Sequence, residues 1–359
     1  MAKKIFAIET SCDDTSIALV SEEGFVYGMV SASQDLAHQP FGGIVPEIAS
    51  RNHSQAILPL VDELIKKTQM TWSEVSGIAV TNRPGLIGSL IVGLVTAKTL
   101  SHVHQKPLIG VNHLEGHILA PFLFDSQIQK TDLTYPFIAL AVSGGHTSIY
   151  EVRGLGDYSV LGSTLDDAAG EAFDKFAKMA GLGFPGGVKV DQMAQRGQRD
   201  AYDFPRGLIH EDSYQMSFSG LKASAQRLLA SLDPPNLQTE LANLCASFQE
   251  AVVDALIAKL DLAMKKNKMK TVVITGGVSA NSRLREKSQQ WAQKNRYYLH
   301  IPPLRYCTDN AAMIGYAGAL RLERGEHHSL DLGPSPRVWP EDFRDGNFNK
   351  GRQARVQRP

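Results

Sequence analysis

Three segments of the chain repeat one pattern, in which a short apolar run is followed by a turn of small or acidic residues. The segments are 5–14, 137–147 and 271–281. Their apolar runs are rich in β-branched residues and lack polar alternation, which is typical of strands that are buried on both faces. The first two segments continue directly into another apolar run, at 16–20 and 147–152. We therefore expect a hairpin at the start of each half of the chain.

Helical patterns separate these strands, and strands that alternate with helices predict an α/β protein. The predicted helices are Gln55–Lys66, Leu90–His102, Asp166–Ala180, Leu237–Lys265, Ser279–Lys294 and Ala311–Arg321. Two halves that each open with a hairpin and a small-residue turn predict a duplicated two-lobe fold with a central cleft. We place the N-terminal lobe at 1–125 and the C-terminal lobe at 126–344, whose last helix packs back on the first lobe. A mobile tail follows at 345–359.

The charge balance excludes a protein that coats nucleic acid by bulk attraction, because 37 basic and 37 acidic residues give a net charge of zero over 359 residues. The halves differ, however. Residues 1–125 hold 8 basic and 12 acidic residues, whereas 126–359 hold 29 and 25. Ten basic residues lie within 259–296, and they predict either an RNA-binding face or a solvated helix surface.

Cysteine content and hydropathy predict a cytoplasmic protein with no membrane contact. The chain has three cysteines and no CxxC pair, which disfavours a disulfide framework and a zinc ribbon. The apolar stretch before Glu9 is too short for a signal peptide. The stretch between Arg83 and Lys98 falls short of the ~20 residues that a bilayer span needs.

The segment 112–117 contains a candidate pair of metal ligands. His113 and His117 are four residues apart, so on a helix they lie about 40° apart on one face, and two imidazoles at that spacing can bind a transition metal. An incidental pair is equally compatible with the spacing. Glu115 would lie about 200° around the helix from His113, away from both imidazoles. A metalloprotease is therefore disfavoured, because its general base would be missing.

The candidate third ligand is Asp309, which precedes the predicted helix at 311–321. An aspartate at this position can ligate a metal or cap the helix, and the residue alone favours the cap.

Two glycine pairs follow predicted strands, Gly144-Gly145 and Gly276-Gly277. Glycine lets a backbone approach phosphate closely and present its N–H groups, although ordinary tight turns use the same residues. Neither a Walker motif nor a dinucleotide-binding GxGxxG accompanies them. A nucleotide held between the two lobes remains compatible with the pattern.

Taken in order, the motifs of this chain resemble the TsaD (Gcp) family of tRNA N6-adenosine threonylcarbamoyltransferases. The matching segments are 8–13, 42–53, 84–86, 112–117, 142–147, 166–175, 184–187, 217–222, 276–281 and 307–310. The resemblance spans residues 5–340 and implies an actin-like, sugar-kinase-like ATPase fold with RNase H-like lobes. Two departures are visible: Arg83 stands where the family usually has glycine, and Val188 replaces a common proline. We expect neither to abolish activity.

The resemblance implies transfer of a threonylcarbamoyl group from threonylcarbamoyl-AMP to the N6 amine of the adenosine next to the anticodon. The acceptors are tRNAs that read codons beginning with A. It implies one divalent metal ion per subunit, Fe²⁺ in preference to Zn²⁺, on His113, His117 and Asp309. Its implied substrate-binding residues are Ala141, Val142, Ser143, Gly144, Gly145, Asp174, Gly187, Asp191 and Asn281.

The family also suggests a catalytic candidate and protein partners. Asp13 is the candidate that orients the acceptor amine or takes its proton, and a hydrogen-bonded turn residue is the alternative. Bacterial relatives imply a TsaB-like paralogue, which the apolar helices of 55–100 are candidates to bind, and a TsaE-like ATPase.

Three other functions remain to be weighed. A sugar or acetate kinase of the same fold leaves the histidine pair unexplained. A metalloprotease lacks its base, as argued from Glu115. A non-catalytic scaffold in a tRNA-modifying complex gives no reason to retain three metal ligands.

Overall fold

The computed structural model describes residues 2–337, apart from the side chain of Pro234. The predicted tail at 345–359 therefore lies outside the described residues. The strands are β1 Lys4–Glu9, β2 Thr15–Ser21, β3 Val26–Ala32, β4 Val75–Arg83, β5 Leu108–Asn112, β6 Phe137–Val142, β7 Thr147–Gly154, β8 Asp157–Ser163, β9 Thr271–Thr275 and β10 Tyr298–His300. The α-helices are α1 Asp35–His38, α2 Pro46–Thr68, α3 Ile87–His104, α4 His113–Leu119, α5 Ala169–Met179, α6 Gly186–Ala194, α7 Ser219–Ser231, α8 Pro234–Lys266, α9 Ser282–Asn295 and α10 Ala311–Glu323.

The two predicted halves form two five-stranded sheets of the same design. The first has the order β3-β2-β1-β4-β5 and the second has the order β10-β9-β6-β7-β8. In each, the opening strand pairs antiparallel with the strand after it and parallel with a later strand. The central strands are buried along nearly their whole length, as their unbroken apolar runs predict. The duplicated α/β architecture is confirmed, whereas the lobe limits at residues 125 and 344 remain predictions.

The last helix, α10, packs on the first sheet. Its apolar side chains share one core with residues of β1, β2, β4 and β5. Gly318 allows this close approach, because a Cβ there would collide with Ala79 of β4. Ten of the thirteen residues of α10 are buried. Because α10 packs on the first sheet, the loop before it, which contains Asp309, lies at the carboxyl end of that sheet.

One of the described helices is long and apolar enough to cross a membrane, by length and composition alone. It is Pro235–Lys266, and 67% of its most apolar window is buried inside the protein. Burial of this extent is typical of a core helix. Its apolar residues pack against α6, α9 and the second sheet.

The apolar run at 298–304 forms a shorter strand than its composition suggests. β10 ends at His300, because Pro302 and Pro303 have no N–H to donate to a neighbouring strand. The helix predicted from Asp166 begins at Ala169. The Asp166 carboxylate instead accepts hydrogen bonds from the backbone N–H groups of Phe218 and Ser219.

Glu115 is buried on the side of α4 that faces away from the histidine pair, as its position in the helix predicts. Its carboxylate receives two hydrogen bonds from Arg321 of α10, at 2.6 and 2.8 Å, and one from the Tyr158 hydroxyl at 3.0 Å. These contacts join α4 to α10 and to the second sheet. Glu115 is thus a structural ion-pair residue, and the metalloprotease alternative is left without its base.

We expect Arg321→Met to lower the free energy of unfolding by about 3–5 kcal/mol, because it leaves the buried Glu115 carboxylate without its cation. Urea denaturation followed by circular dichroism measures this loss. The double variant Glu115→Leu/Arg321→Met should recover part of it, since no uncompensated charge then remains buried. A loss below about 1 kcal/mol, the range of exposed pairs, would contradict the argument.

Candidate active site

The loops that follow β1, β4, β5, β6 and β9 lie at the carboxyl ends of the parallel strands, which is where α/β folds bind ligands. α4 begins directly after β5, and the Asn112 side chain caps it by accepting the N–H of Leu114 at 2.9 Å. His113 and His117 therefore project from the first turns of a short buried helix. Their ring centroids are 4.6 Å apart.

Asp309 reaches the same place from the loop before α10. The cap of α10 is the neighbouring Asn310, whose Oδ1 accepts the N–H of Met313 at 3.0 Å. The capping alternative for Asp309 is therefore wrong. One oxygen of its carboxylate lies 3.2 Å from Nε2 of His113 and 3.1 Å from Nε2 of His117.

These three side chains have a geometry that suits one metal ion. Their candidate ligand atoms all lie within 4.8 Å of one another, and both histidines present the same ring nitrogen. Two imidazoles and one carboxylate form the facial set that non-haem Fe(II) sites use. The structure thus brings together the three predicted ligands, and a transition metal fits them.

The charges around His113 also favour the binding of a cation. Burial opposes an imidazolium at His113, but the carboxylates of Asp309 and Glu9 outweigh burial and raise the pKa of His113 well above its usual value. The same contacts outweigh burial at Asp309 and hold the pKa of its carboxyl well below the usual range. The buried Glu9 carboxylate and the partly exposed Asp309 carboxylate therefore share one positive charge. A divalent metal ion can take the place of the imidazolium proton as that charge.

Asp13 lies in the turn after β1, close enough to Asp309 for the two carboxylates to repel each other. Burial and this repulsion raise the pKa of Asp13. Burial and the charge of Asp13 raise the pKa of the next carboxyl, Asp14, to about 7. Burial and Asp13 also raise the pKa of the Cys12 thiol well above its usual value, which disfavours thiolate chemistry here.

A cavity of about 380 Å³ opens beside the turn after β6. Five of the predicted substrate-binding residues line it, together with hydrophobic side chains such as Phe173 and Val278. The five are Gly144, Asp174, Gly187, Asp191 and Asn281. The structure therefore gathers residues from four separated segments around one space.

The polar side chains of this cavity are held in place by neighbouring backbone. The Asp174 carboxylate accepts the N–H groups of Gly186 and Gly187, at 2.9 and 3.3 Å. Asp191 accepts the N–H and the hydroxyl of Ser282, at 3.1 and 2.7 Å. Hydrogen bonds of this kind fix each carboxylate before a ligand arrives.

Asn281 is held in the same way. Its Oδ1 caps α9 by accepting the N–H of Leu284 at 3.0 Å, and its amide donates to Gln249 at 2.7 Å.

The other predicted substrate-binding residues lie at the end of β6 or in the turn that follows it. Ala141 and Val142 are buried in β6 and do not line the cavity. The Ser143 N–H donates to the His146 carbonyl at 2.8 Å, so it is used within the turn. Gly144 and Gly145 are exposed, and their N–H groups have no acceptor among the residues described. These two amides are available to an anionic ligand.

A sequence model of one family, "TsaD: tRNA N6-adenosine threonylcarbamoyltransferase", matches residues 25–316. The chain belongs to this family. A relative of that name from Bdellovibrio bacteriovorus is 64% identical over 345 residues, which cover 96% of this chain and 100% of the relative. Another, from Thermosynechococcus vestitus, is 47% identical over 334 residues and 92% of this chain. The resemblance drawn from the motifs is confirmed, and with it the activity that the family name states.

Solved structures support the fold class. The chain is similar to full-length HypF in its phosphate- and nucleotide-bound form, with a TM-score of 0.60 and 12% identity over 90% of this chain and 47% of that chain. It is also similar to component A of the (R)-2-hydroxyglutaryl-CoA dehydratase of Acidaminococcus fermentans, with a TM-score of 0.52 and 11% identity over 90% of this chain. At such identities the likeness concerns the fold alone.

Glu9 is a site residue of this TsaD family member that its sequence motifs do not identify. This residue ends β1, is fully buried, and lies 3.0 Å from Nδ1 of His113. Thr81 and the backbone of Ser11 donate to the same carboxylate. A carboxylate that holds the second nitrogen of a ligating histidine fixes its tautomer and increases its basicity. The signal in the sequence was a single acidic residue at the end of the apolar run Ile5–Ile8.

We expect Glu9→Gln to weaken metal binding by about 10–100-fold, because the neutral amide no longer holds the Nδ1 proton of His113 against a negative charge. Competition with a chromogenic chelator measures the dissociation constant. The exposed Glu23→Gln is the matched control and should leave it unchanged. Equal metal affinities for the two variants, with equal thermal stability, would remove the positioning role.

Proposed function

We propose that the chain transfers the threonylcarbamoyl group of threonylcarbamoyl-AMP to the N6 amine of the adenosine next to the anticodon, in tRNAs that read codons beginning with A. The observation that supports this most is the turn Ser143–His146. Gly144 in this turn lines the 380 Å³ cavity, while His146 lies close enough to His113 and His117 for their charges to lower its pKa. One turn thus lies between a nucleotide-sized space and the candidate metal ligands His113, His117 and Asp309, hereafter the metal cluster.

In this proposal the glycine-rich cavity holds the adenylate. The free N–H groups of Gly144 and Gly145 bind its phosphate, as amides of tight turns commonly do. Asp174, Asp191 and Asn281, which are fixed by the backbone, contact the ribose and base with their remaining acceptor positions. Gly187 leaves the wall open, because outside its own stretch of helix only the Phe173 Cβ lies within 4 Å of the position where a Cβ would stand.

His113, His117 and Asp309 would hold one divalent ion. Both non-haem iron and catalytic zinc sites use two histidines and one carboxylate, and we propose Fe²⁺ in preference to Zn²⁺. When bound, the ion supplies a Lewis acid for the oxygens of the mixed anhydride. Metal analysis of protein purified without oxygen tests this assignment. An excess of zinc over iron in such a preparation would contradict the preference.

The transfer step needs positioning more than a strong base, because AMP is a good leaving group and the adenosine amine is a weak nucleophile. The N6 nitrogen forms a bond to the carbamoyl carbon. The bond from that carbon to the phosphate oxygen then breaks, and AMP leaves with the electron pair. In this proposal Asp13 takes the amine proton, and its pKa, which burial and Asp309 raise, supports that role.

Mass spectrometry of tRNA nucleosides tests the function. The chain is incubated with tRNA, ATP, threonine, bicarbonate and the synthase that forms the adenylate, with and without a TsaB-like paralogue and a TsaE-like ATPase. We expect N6-threonylcarbamoyladenosine at the position next to the anticodon when the partners are present. Its absence in every arm would overturn the proposal.

An exposed apolar stripe supports the need for a protein partner. Ile87, Ile91 and Val95 of α3 follow at four-residue spacing and are 48%, 45% and 55% exposed. Leu58 of the adjacent α2 is 65% exposed. Apolar surface arranged in this way marks protein interfaces, and we assign it to the TsaB-like paralogue. Because its tRNA and adenylate are cytoplasmic, we propose that the complex acts in the cytoplasm.

Most of the ten basic residues of 259–296 are paired within the protein and are not free to bind tRNA. Six of them donate to carboxylates or carbonyls: Lys259, Lys265, Lys266, Arg283, Arg285 and Lys287. Four are exposed and have no carboxylate partner in the part of the chain described: Lys268, Lys270, Lys294 and Arg296. These four cluster where β9 and β10 begin, around Tyr297, and we propose that they bind the tRNA backbone.

We expect Lys270→Glu to weaken tRNA binding uniformly and to reduce the slope of log K against log salt by about 1, because one phosphate contact is lost. Titration of labelled tRNA over a range of salt concentrations measures both effects. Lys3→Glu is the control, since Lys3 is an exposed lysine in front of the other sheet. If the slope of log K against log salt is the same for Lys270→Glu, Lys3→Glu and the unaltered chain, Lys270 does not contact tRNA phosphate.

A further inference from the structure

A second cavity, of about 690 Å³, lies beside the metal cluster and is nearly twice the size of the proposed adenylate cavity. Pro84 and Leu114 form its wall on the side of the first sheet, and Leu114 follows the ligand His113 directly. Strands β7 and β8 form the opposite wall. The turn after β6 separates the two cavities, because Gly144 lines the smaller one and His146 lines the larger one.

The position of this cavity suits the second substrate of a transfer reaction. A donor in the smaller cavity presents its carbamoyl carbon toward the metal cluster, and the acceptor must reach that carbon from another side. His146 marks the nearest part of the larger cavity. The His146 side chain lies close enough to His113 and His117 to interact with them electrostatically.

The walls have the chemistry of a nucleobase site. Tyr150 and Val160 supply aromatic and aliphatic surface, and the lining described contains no Asp or Glu. Gln215 is held by the N–H of Ser163, which donates to its Oε1 at 3.3 Å. Its NH₂ group is left to donate to a base edge. Arg337 lies at the exposed rim, where it can contact a phosphate.

We propose that the 690 Å³ cavity binds the acceptor adenosine, swung out of the anticodon loop, with its base between the β7–β8 wall and Leu114. Sequence-specific recognition of RNA commonly uses unstacked bases of single-stranded loops in this way. The inference rests on the proposed transfer and adds the place where its second substrate is bound. The alternative occupant is residues 338–359 of this chain, because Arg337 in the lining directly precedes them.

Photo-crosslinking from inside the cavity tests the assignment. Val160 is 41% exposed on β8, so p-benzoylphenylalanine at this position is compatible with folding of the full chain. In the presence of tRNA and a non-reactive adenylate analogue, we expect crosslinks at or beside the target adenosine. Crosslinks to residues 338–359 that tRNA does not displace, or to another part of the tRNA, would overturn the proposal.

Steady-state kinetics gives an independent measure. Val160→Trp fills the cavity and should raise the KM for tRNA by about tenfold or more, whereas Val103→Trp, at a valine of α3 that is 62% exposed and lines neither cavity, should leave the KM near the unaltered value. Affinity for the adenylate analogue should not change in either variant. An unchanged KM for Val160→Trp would count against the site. The unaltered chain is assayed first, so that a failure of the transfer itself is recognised separately.

Discussion

Asp309→Asn should remove the metal from the protein and reduce threonylcarbamoyl transfer by about 10²–10³-fold, because loss of the ion forfeits several kcal/mol of transition-state stabilisation. The Asp309 carboxylate lies within 3.2 Å of both histidines and carries a charge that the substitution deletes. Elemental analysis measures the metal per chain, and single-turnover formation of the modified nucleoside measures the transfer.

Asp331→Asn is the control for this variant, since Asp331 is exposed and distant in sequence from the ligand loop. The helix cap at Asn310 remains intact in both proteins, so α10 should keep its stability. Full metal occupancy in Asp309→Asn would remove this residue from the ligand set. Full transfer activity without bound metal would show that the cluster serves structure and not catalysis.

Asp13→Asn should reduce the single-turnover rate by about 10²-fold while metal content and affinity for the adenylate stay unchanged, because the amide cannot accept the proton of the amine. The direction of the pKa shift predicts a pH dependence as well. Burial and Asp309 raise the pKa of Asp13, so the active carboxylate is lost as the pH falls through that raised value. The rate of the unaltered chain should therefore decline on the acidic side, and the variant should lack this decline.

Asp14→Asn is the neighbouring comparison. Burial and the Asp13 charge raise the pKa of Asp14 to about 7, so its carboxyl is already half protonated near neutral pH. Replacing it by a neutral amide should change the rate far less than replacing Asp13. Equal rates for Asp13→Asn and the unaltered chain would leave Asp13 as a hydrogen-bonded turn residue.

Much of this fold was predictable because its signals are local. Unbroken apolar runs identified the central strands of both sheets, and the small or acidic turn after each run marked the edge where ligands bind. The position of His117 four residues after His113 placed both imidazoles on one helix face. The same geometry directed Glu115 to the opposite face, where Arg321 meets it. Each of these inferences needs only the periods of strands and helices.

Other parts of the site depend on residues that are distant in the sequence. Asp309 and Asn310 are equally good caps by composition, and only the path of the loop before α10 assigns the cap to Asn310. Glu9 and His113 meet because β1 and β5 belong to one sheet. The basic stretch 259–296 suggested a single charged face, but six of its residues have partners within the protein, and five of these reach partners outside the stretch.

Short-range periodicity and ordered motifs were thus enough to predict the architecture, the family and the three candidate metal ligands, because this information is local in the chain. Only the folded chain shows which charges are neutralised, which carboxylate contacts His113, and that the turn after β6 lies between two cavities. These properties arise from contacts between segments that the fold brings together, and burial makes each of them strong.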